Sequence, residues 1–196
     1  MKLTSLIGIA AACAAFFSAG SLAKGSLVLT GVIDGPLPGG LPKAIEIFVS
    51  ADIADLSLYG VELVSNDGSS AGAAETFFSG SATTGDYIYV SSEAPIFTTV
   101  FGFAPDFTSN DVNHNGDDDF YIYGPGDTLI DVWGGSDGLD NTGTTYNILD
   151  SWAYRMDGTG PSTSFTQSDW TISPPNSLDG LDAAGTNAAV PFGTYS

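Results

Sequence analysis

The sequence has few of the residues on which many catalytic and metal sites depend. Its 196 residues include one cysteine, one histidine and four basic residues. A single cysteine excludes an internal disulfide and a zinc site made of cysteine thiolates, and a single histidine excludes a multi-histidine zinc or copper site. Because no cluster of Lys and Arg is present, we expect no direct nucleic-acid binding.

Long hydrophobic runs are also missing, apart from one near the start. Leu6–Phe17 is apolar, follows Met1 and Lys2, and precedes small residues that end at Ala23. This order predicts a secretory signal peptide over residues 1–23, and the apolar run is shorter than the roughly 20 residues that span a membrane. We therefore expect an exported chain without a transmembrane segment, either extracellular or periplasmic and associated with the cell surface.

Negative charge dominates the remainder of the chain. All 23 acids lie beyond residue 23, whereas Lys2 belongs to the predicted signal peptide, so three basic residues face 23 acids and the net charge is −20. A charge of this size favours solubility and disfavours contact with anionic membranes. Cations are the natural partners, although adaptation to salty surroundings would explain the same charge.

Short runs of β-favouring residues recur along the chain, with 25 Gly and 10 Pro among them. The predicted strands are residues 26–33, 44–49, 58–64, 86–90, 120–123 and 128–133, with weaker candidates at 153–155 and 170–172. Only residues 51–56 could form a helical turn. The pattern predicts an all-β protein with one antiparallel β-sandwich over residues 26–180, followed by a loosely packed tail at residues 181–196.

Several segments match, in the same order, the strand and turn patterns of a known family. Ala44–Val49 resembles that family's Trp-Ile-Glu-Leu-Tyr strand, and Ile53–Leu63 resembles its Val-Asp-Leu-Ser-Gly-Trp-x-Leu segment. The other matching segments are Gly85–Val90, Gly116–Tyr123, Leu129–Trp133, Ser151–Arg155, Asp157–Gly160 and Ser168–Ser173. The family is the lamin-tail domain, an immunoglobulin-like β-sandwich of nuclear lamins and of many secreted bacterial proteins, where it often accompanies nuclease domains.

The resemblance implies an immunoglobulin-like fold and, by analogy, an adhesive or targeting role. The chain departs from the family pattern in two places. Ala44 stands where the family usually has Trp, and the insert at residues 133–143 is longer than is typical of the family.

Residues 111–119 alternate oxygen-bearing side chains in the manner that opens a calcium-binding loop. The candidate ligands are Asp111, Asn113, Asn115, Asp117 and Asp119. Gly116, at the sixth position, would make the sharp turn, but Ile122 occupies the twelfth position, where such loops carry a closing Glu. The segment therefore predicts calcium as a cofactor. Asn115-Gly116 before a β-favouring run is also the signature of a hairpin turn, so this alternative stays open.

Two single residues complete the sequence-based predictions. His114, flanked by Asn on both sides, is expected to be solvated in a turn. Arg155 lies close to Trp152 and Tyr154 in the sequence, and we expect it to stack on an aromatic ring or to pair with a buried acid in a structural role.

These observations favour a secreted, non-catalytic interaction or adhesion module in which calcium orders residues 111–119. Its partner would be a protein, glycan or matrix ligand. Two alternatives come from other classes of protein. One is a secreted hydrolase that uses two of the many carboxylates, and the other is an extracellular structural subunit that self-assembles through its sheet edges.

Overall fold

The structure, a computed structural model, describes residues 26–66, 68–135 and 140–196, which form two β-sheets and two short helices. The predicted signal peptide lies outside the described residues. The strands are β1 (Leu27–Leu37), β2 (Leu41–Val49), β3 (Gly60–Val64), β4 (Thr76–Phe77), β5 (Tyr87–Ser91), β6 (Phe107–Thr108), β7 (Asp119–Gly124), β8 (Thr128–Trp133), β9 (Ser151–Arg155) and β10 (Trp170–Ile172). The helices are α1 (Pro95–Phe101) and α2 (Ala183–Ala189). The described residues contain no helix, α1 and α2 included, that is long and apolar enough to cross a membrane.

The two sheets contain six and four strands. The first has the order β10-β9-β1-β2-β5-β6, and the second has the order β4-β3-β7-β8. All eight predicted strands are present, and the predicted two-sheet β architecture is confirmed. The pairing is antiparallel except between β5 and β6, which run parallel. β4 and β6 were not predicted because each contains only two residues, too few to show an alternating pattern.

The main hydrophobic core lies between the two sheets. In β2, Ile45, Ile47 and Val49 face this core, as expected for a strand whose alternate side chains point to one face. The four-stranded sheet contributes Phe120 of β7 and Trp133 of β8 to the same cluster. Burial of these alternating positions fixes the register, because a slip by one residue would turn each strand's apolar face outward.

The outer face of the six-stranded sheet is covered by α1, α2 and the end of the chain. Phe97 of α1, Leu178 and Val190 pack against Ile33 of β1 and Ala44 of β2. This arrangement corrects two expectations from the sequence. Helices form beyond residues 51–56, and residues 181–196 are not a loosely packed tail, because Thr186, Val190 and Tyr195 are buried.

A buried ion pair connects the two sheets. Arg155 of β9 donates two hydrogen bonds from Nη2 to the Asp131 carboxylate of β8, at 2.7 and 2.8 Å. The Nε–H of Arg155 also donates to the Leu29 carbonyl at 2.7 Å, and the guanidinium lies 4.6 Å from the ring centroid of Trp170. The predicted pairing of Arg155 with a buried acid is confirmed, and its aromatic partner is Trp170 rather than Trp152 or Tyr154.

Candidate functional site

The loop that leads into β7 contains the predicted calcium ligands, and local hydrogen bonds determine its shape. The Ser109 hydroxyl accepts a hydrogen bond from the Asp111 amide at 3.1 Å, and a short 3-10 turn follows over Asn110–Val112. Gly116 then turns the chain with φ +80°, and its carbonyl accepts from the Ile148 amide at 2.8 Å. A side chain at residue 116 would collide with the backbone of Ile148, so glycine is required both by φ and by space.

The predicted hairpin at Asn115-Gly116 does not form. The strand that follows, β7, pairs with β3 and β8, and the tight connection lies between β7 and β8 instead. The turn at Gly116 is therefore part of an irregular loop that packs against residue 148. Its conformation depends on contacts with a distant part of the chain rather than on a neighbouring strand.

Asp111 and Asp119, two of the five candidate ligands, accept hydrogen bonds that connect the loop to other segments. Asp111 accepts from the hydroxyls of Thr76 and Ser109 through Oδ2. Asp119 accepts from the side-chain amide of Asn141 at 2.7 Å. These bonds hold the loop to β4 on one side and to the segment after β8 on the other, which is a structural role for both carboxylates.

Asp117 differs from the other candidates because one of its oxygens is buried without a partner. Its Oδ2 accepts from the Thr142 hydroxyl at 2.9 Å, whereas Oδ1 is buried with no hydrogen-bond donor among the described residues. A buried carboxylate oxygen without a donor is destabilising unless a cation or water satisfies it. Asn113 and Asn115, the two remaining candidates, are exposed to solvent.

Asp118, which is not one of the alternating candidate ligands, follows Asp117 directly in the loop. It accepts from the backbone amides of Asn66 at 2.7 Å and Asn115 at 3.1 Å. Burial raises the pKa of Asp118, and the nearby carboxylates of Asp117 and Asp140 raise the pKa further. The charges of Asp117 and Asp140 therefore oppose that of Asp118, and a bound cation would relieve that repulsion.

The arrangement sets limits on a metal site. Within residues 26–66, 68–135 and 140–196, no group of three or more His, Cys, Asp or Glu side chains is arranged to hold a metal ion. A calcium ion at Asp117 would therefore need further oxygens from amide side chains, backbone carbonyls and water. Calcium accepts all of these ligands in a flexible shell.

His114 is fully buried, contrary to the solvated position that the sequence predicted. Its Nε2 lies 3.0 Å from the Ile33 carbonyl, and its Nδ1 accepts from the Gly116 amide at 3.1 Å. Because a carbonyl can only accept, the proton is on Nε2 and the ring is neutral. Burial, and then the positive charge of Lys43, lower the pKa of His114 to about 3.

This buried neutral histidine predicts that acid weakens the fold. Between about pH 3 and pH 6.5 the unfolded chain binds a proton at residue 114 that the folded chain does not, so the stability contributed by the neutral ring falls as the pH is lowered. We expect the difference in unfolding free energy between the wild type and His114→Gln to shrink by about 1.4 kcal/mol for each pH unit below 6.5. Urea denaturation at pH 7, 6, 5 and 4.5 measures this difference.

Comparison with His114→Gln removes the contributions of the buried carboxylates, which titrate in both proteins. Burial raises the pKa of Asp34 and Glu46. An acid whose pKa is higher in the folded than in the unfolded protein makes the fold less stable as the pH rises, which is the opposite of the effect of His114. A difference between wild type and variant that does not depend on pH would contradict the prediction, because it would mean that His114 is protonated equally in both states.

The exposed charge of the described chain is entirely negative. Lys43 and Arg155 are its two basic residues, and both are buried in ion pairs. Lys43 Nζ lies 2.6 Å from Asp34 Oδ1, and Arg155 pairs with Asp131. No described cationic group is therefore left on the surface to neutralise the carboxylates of the loop before β7.

The candidate site thus combines a buried carboxylate oxygen of Asp117 with two neighbouring acids on an anionic surface. Comparison of the chain with protein-family models, curated proteins and solved structures finds no match. Its function is inferred from these contacts and from the sequence.

Proposed function

We propose that this chain is an exported, non-catalytic binding module with a lamin-tail-like, immunoglobulin-like β-sandwich, and that calcium stabilises the loop at residues 111–119. The ordered loop would help to present a surface to a protein, glycan or matrix partner outside the cell. The observation that carries the proposal is the Asp117 carboxylate, which keeps one buried oxygen without a donor beside Asp118 and Asp140.

Calcium binding would stabilise this loop by reducing the repulsion between its carboxylates. The charges of Asp117 and Asp140 oppose that of Asp118, and a divalent cation at Asp117 Oδ1 would offset that repulsion. Asn113 and Asn115 are exposed, so their amide oxygens are available to a cation close to the turn. Asp111 and Asp119 would support the loop through their hydrogen bonds and would not need to reach the ion.

The placement of the buried acids supports a non-catalytic role. Glu46 accepts from the hydroxyls of Thr30 and Tyr154, at 2.7 and 2.8 Å, and is fully buried. Asp131 is likewise fully buried in its pair with Arg155. A catalytic acid or base must reach the substrate, whereas these two carboxylates are enclosed and connect parts of the fold.

The lamin-tail assignment rests on the order of the matching segments. Ala44–Val49 lies in β2, Gly85–Val90 leads into β5, and Leu129–Trp133 lies in β8. Matches that coincide with strands of one two-sheet domain support a common fold more strongly than matches scattered over loops would. Export rests on residues 1–23 of the sequence.

The test is thermal unfolding of the mature chain with calcium and with a chelator. We expect calcium to raise the melting temperature, with a stabilisation of about 2.7 kcal/mol when free calcium is 100 times Kd. Magnesium and sodium at equal ionic strength are needed as controls, because any salt screens the self-repulsion of an anionic surface. Stabilisation by all three salts to the same extent would contradict a calcium site.

A pair of variants then locates the ion. Asp117→Asn should abolish the calcium-specific part of the stabilisation, because it removes the carboxylate that has the unpaired oxygen. Asp127→Asn is the matched control, since it removes the same charge at an exposed residue whose φ of +54° asparagine also tolerates. An equal response of both variants to calcium would place the ion elsewhere or nowhere.

A further inference from the structure

A groove of about 260 Å³ opens at the edge of the sandwich, on the side of β5 and β6. Its lining residues are Leu56, Ser79, Ser81, Ala82, Asp86, Tyr87, Ile88, Asp106 and Phe107. One wall belongs to the segment after β4, and the other belongs to the start of β5 and the residues that lead into β6. The groove is formed by residues outside the 111–119 loop.

Backbone hydrogen bonds hold the first wall in place. The amide of Ile53 donates to the Ala82 carbonyl at 2.8 Å, and the amide of Ala82 donates back to Ile53 at 2.9 Å. The amide of Leu56 donates to the Gly80 carbonyl at 2.8 Å. These bonds position Ser79 and Ser81 before any ligand arrives, which lowers the entropic cost of binding.

The two carboxylates of the groove are each fixed through one oxygen only. Asp86 Oδ2 accepts from the amide and hydroxyl of Thr83, at 2.7 and 2.8 Å. Asp106 Oδ2 accepts from the Tyr89 amide at 2.8 Å. The Oδ1 atoms of Asp86 and Asp106 have no hydrogen bond within the described chain, so each side chain is oriented and still able to accept another donor.

The floor of the groove is apolar and partly aromatic. Leu56, Ala82 and Ile88 are buried, and the half-buried ring of Phe107 stacks on Phe78 with 5.2 Å between centroids. Tyr87 also borders the groove, but its ring packs against Phe48 on the other face of the sheet from Ile88. The accessible lining is nevertheless more polar than apolar, so a ligand meets mainly polar groups together with part of the Phe107 ring.

These groups select the chemistry of the ligand. Asp86 and Asp106 repel anions, which disfavours phosphate, sulfated glycans and uronic acids. Carboxylates accept hydrogen bonds, whereas the hydroxyls of Ser79 and Ser81 both donate and accept. An ammonium group only donates hydrogen bonds, so it cannot accept from the serine hydroxyls. A sugar hydroxyl can donate to the carboxylates and accept from the serines. The ring of a sugar also offers an apolar face.

We propose that this groove binds a neutral sugar unit of a glycan, with Asp86, Asp106, Ser79 and Ser81 bonding to its hydroxyls and with Phe107 contacting its apolar face. The inference rests on the proposed binding function, to which it adds a ligand class and a surface. The groove and the calcium loop are separate regions, and each can be tested without the other.

The test is an NMR titration of the isotope-labelled mature chain with neutral tetrasaccharides of glucose, mannose, galactose and xylose. At least one is expected to shift the amide signals of residues 79–82, 86–88 and 106–107 in a saturable manner. The double variant Ser81→Ala with Asp106→Asn should raise the apparent Kd about tenfold. Asn keeps an oxygen that can accept from the Tyr89 amide, so the fold of this edge is retained.

Asp182→Asn is the matched control, because Asp182 is an exposed acid that accepts a backbone amide in the same way but lies at the start of α2. It should bind the sugar as the wild type does. Failure of every tetrasaccharide to shift the groove signals would overturn the inference, as would shifts caused by tetralysine alone. Sugar binding elsewhere, unchanged in the double variant, would also overturn it while leaving the binding function standing.

Discussion

Replacing Arg155 with methionine is expected to lower the free energy of unfolding by about 3–5 kcal/mol, because it leaves the Asp131 carboxyl group buried between the two sheets without its counter-ion. The change also removes the donor to the Leu29 carbonyl and the cation above Trp170. Leu29 donates its own amide to Asp131, so both backbone polar groups of Leu29 are hydrogen-bonded to the ion pair. Chemical denaturation of wild type and variant measures the loss.

A double-mutant cycle separates the ion pair from the rest of the effect. Asp131→Asn leaves a buried guanidinium without its counter-ion, and combining it with Arg155→Met removes both charges. We expect the double variant to be more stable than the sum of the two single losses predicts, since removing both partners avoids an unpaired charge. Strict additivity, or a loss below 1 kcal/mol for Arg155→Met, would show that the pair contributes little.

Tyr195→Ala is the second change for which we expect a large effect, about 3–5 kcal/mol of unfolding free energy. The Tyr195 ring packs 5.2 Å from Phe48, its hydroxyl donates to the Thr159 carbonyl at 2.6 Å, and its own carbonyl accepts from the Tyr87 hydroxyl. Its backbone amide donates to the Tyr154 hydroxyl at 2.9 Å. Thermal and urea unfolding both measure the loss.

Two further variants of this segment test which part of the Tyr195 side chain stabilises the fold. Tyr195→Phe keeps the ring and removes one hydrogen bond, so it should cost only about 1 kcal/mol. Thr194→Ala changes the neighbouring exposed residue and should cost less than Tyr195→Ala by several fold. If Tyr195→Ala were as stable as Thr194→Ala, the end of the chain would contribute little to the fold, as the sequence alone suggested.

The strands were predictable from the sequence because alternation is a local signal. β5 shows this most directly, because Ile88 and Val90 are buried whereas Tyr87 and Tyr89, which alternate with them, are only partly buried. α1 is too short for a periodic pattern, although Pro95 at its start and Gly102 in the left-handed conformation at its end mark its limits. Such short helices depend on the surface they cover, which the sequence does not reveal.

The candidate site was predictable only in part for the same reason. The turn at Gly116 follows from its sequence, but the hydrogen bond between His114 and Ile33 joins residues 81 positions apart. Likewise, Asp140 comes close to Asp117 and Asp118 only after the strands β7 and β8 have paired. Contacts of this kind are set by the topology of the two sheets and leave no trace in local spacing.

The burial of both described basic residues has a consequence for survival among proteases. Enzymes that cut after Lys or Arg find two target positions in the described chain, Lys43 in β2 and Arg155 in β9. Both side chains are enclosed in ion pairs, and both peptide bonds belong to paired strands. Cleavage at these two positions requires the sandwich to open first. The rate of cleavage by such enzymes is therefore set by how readily the domain unfolds and not by sites exposed on the folded protein.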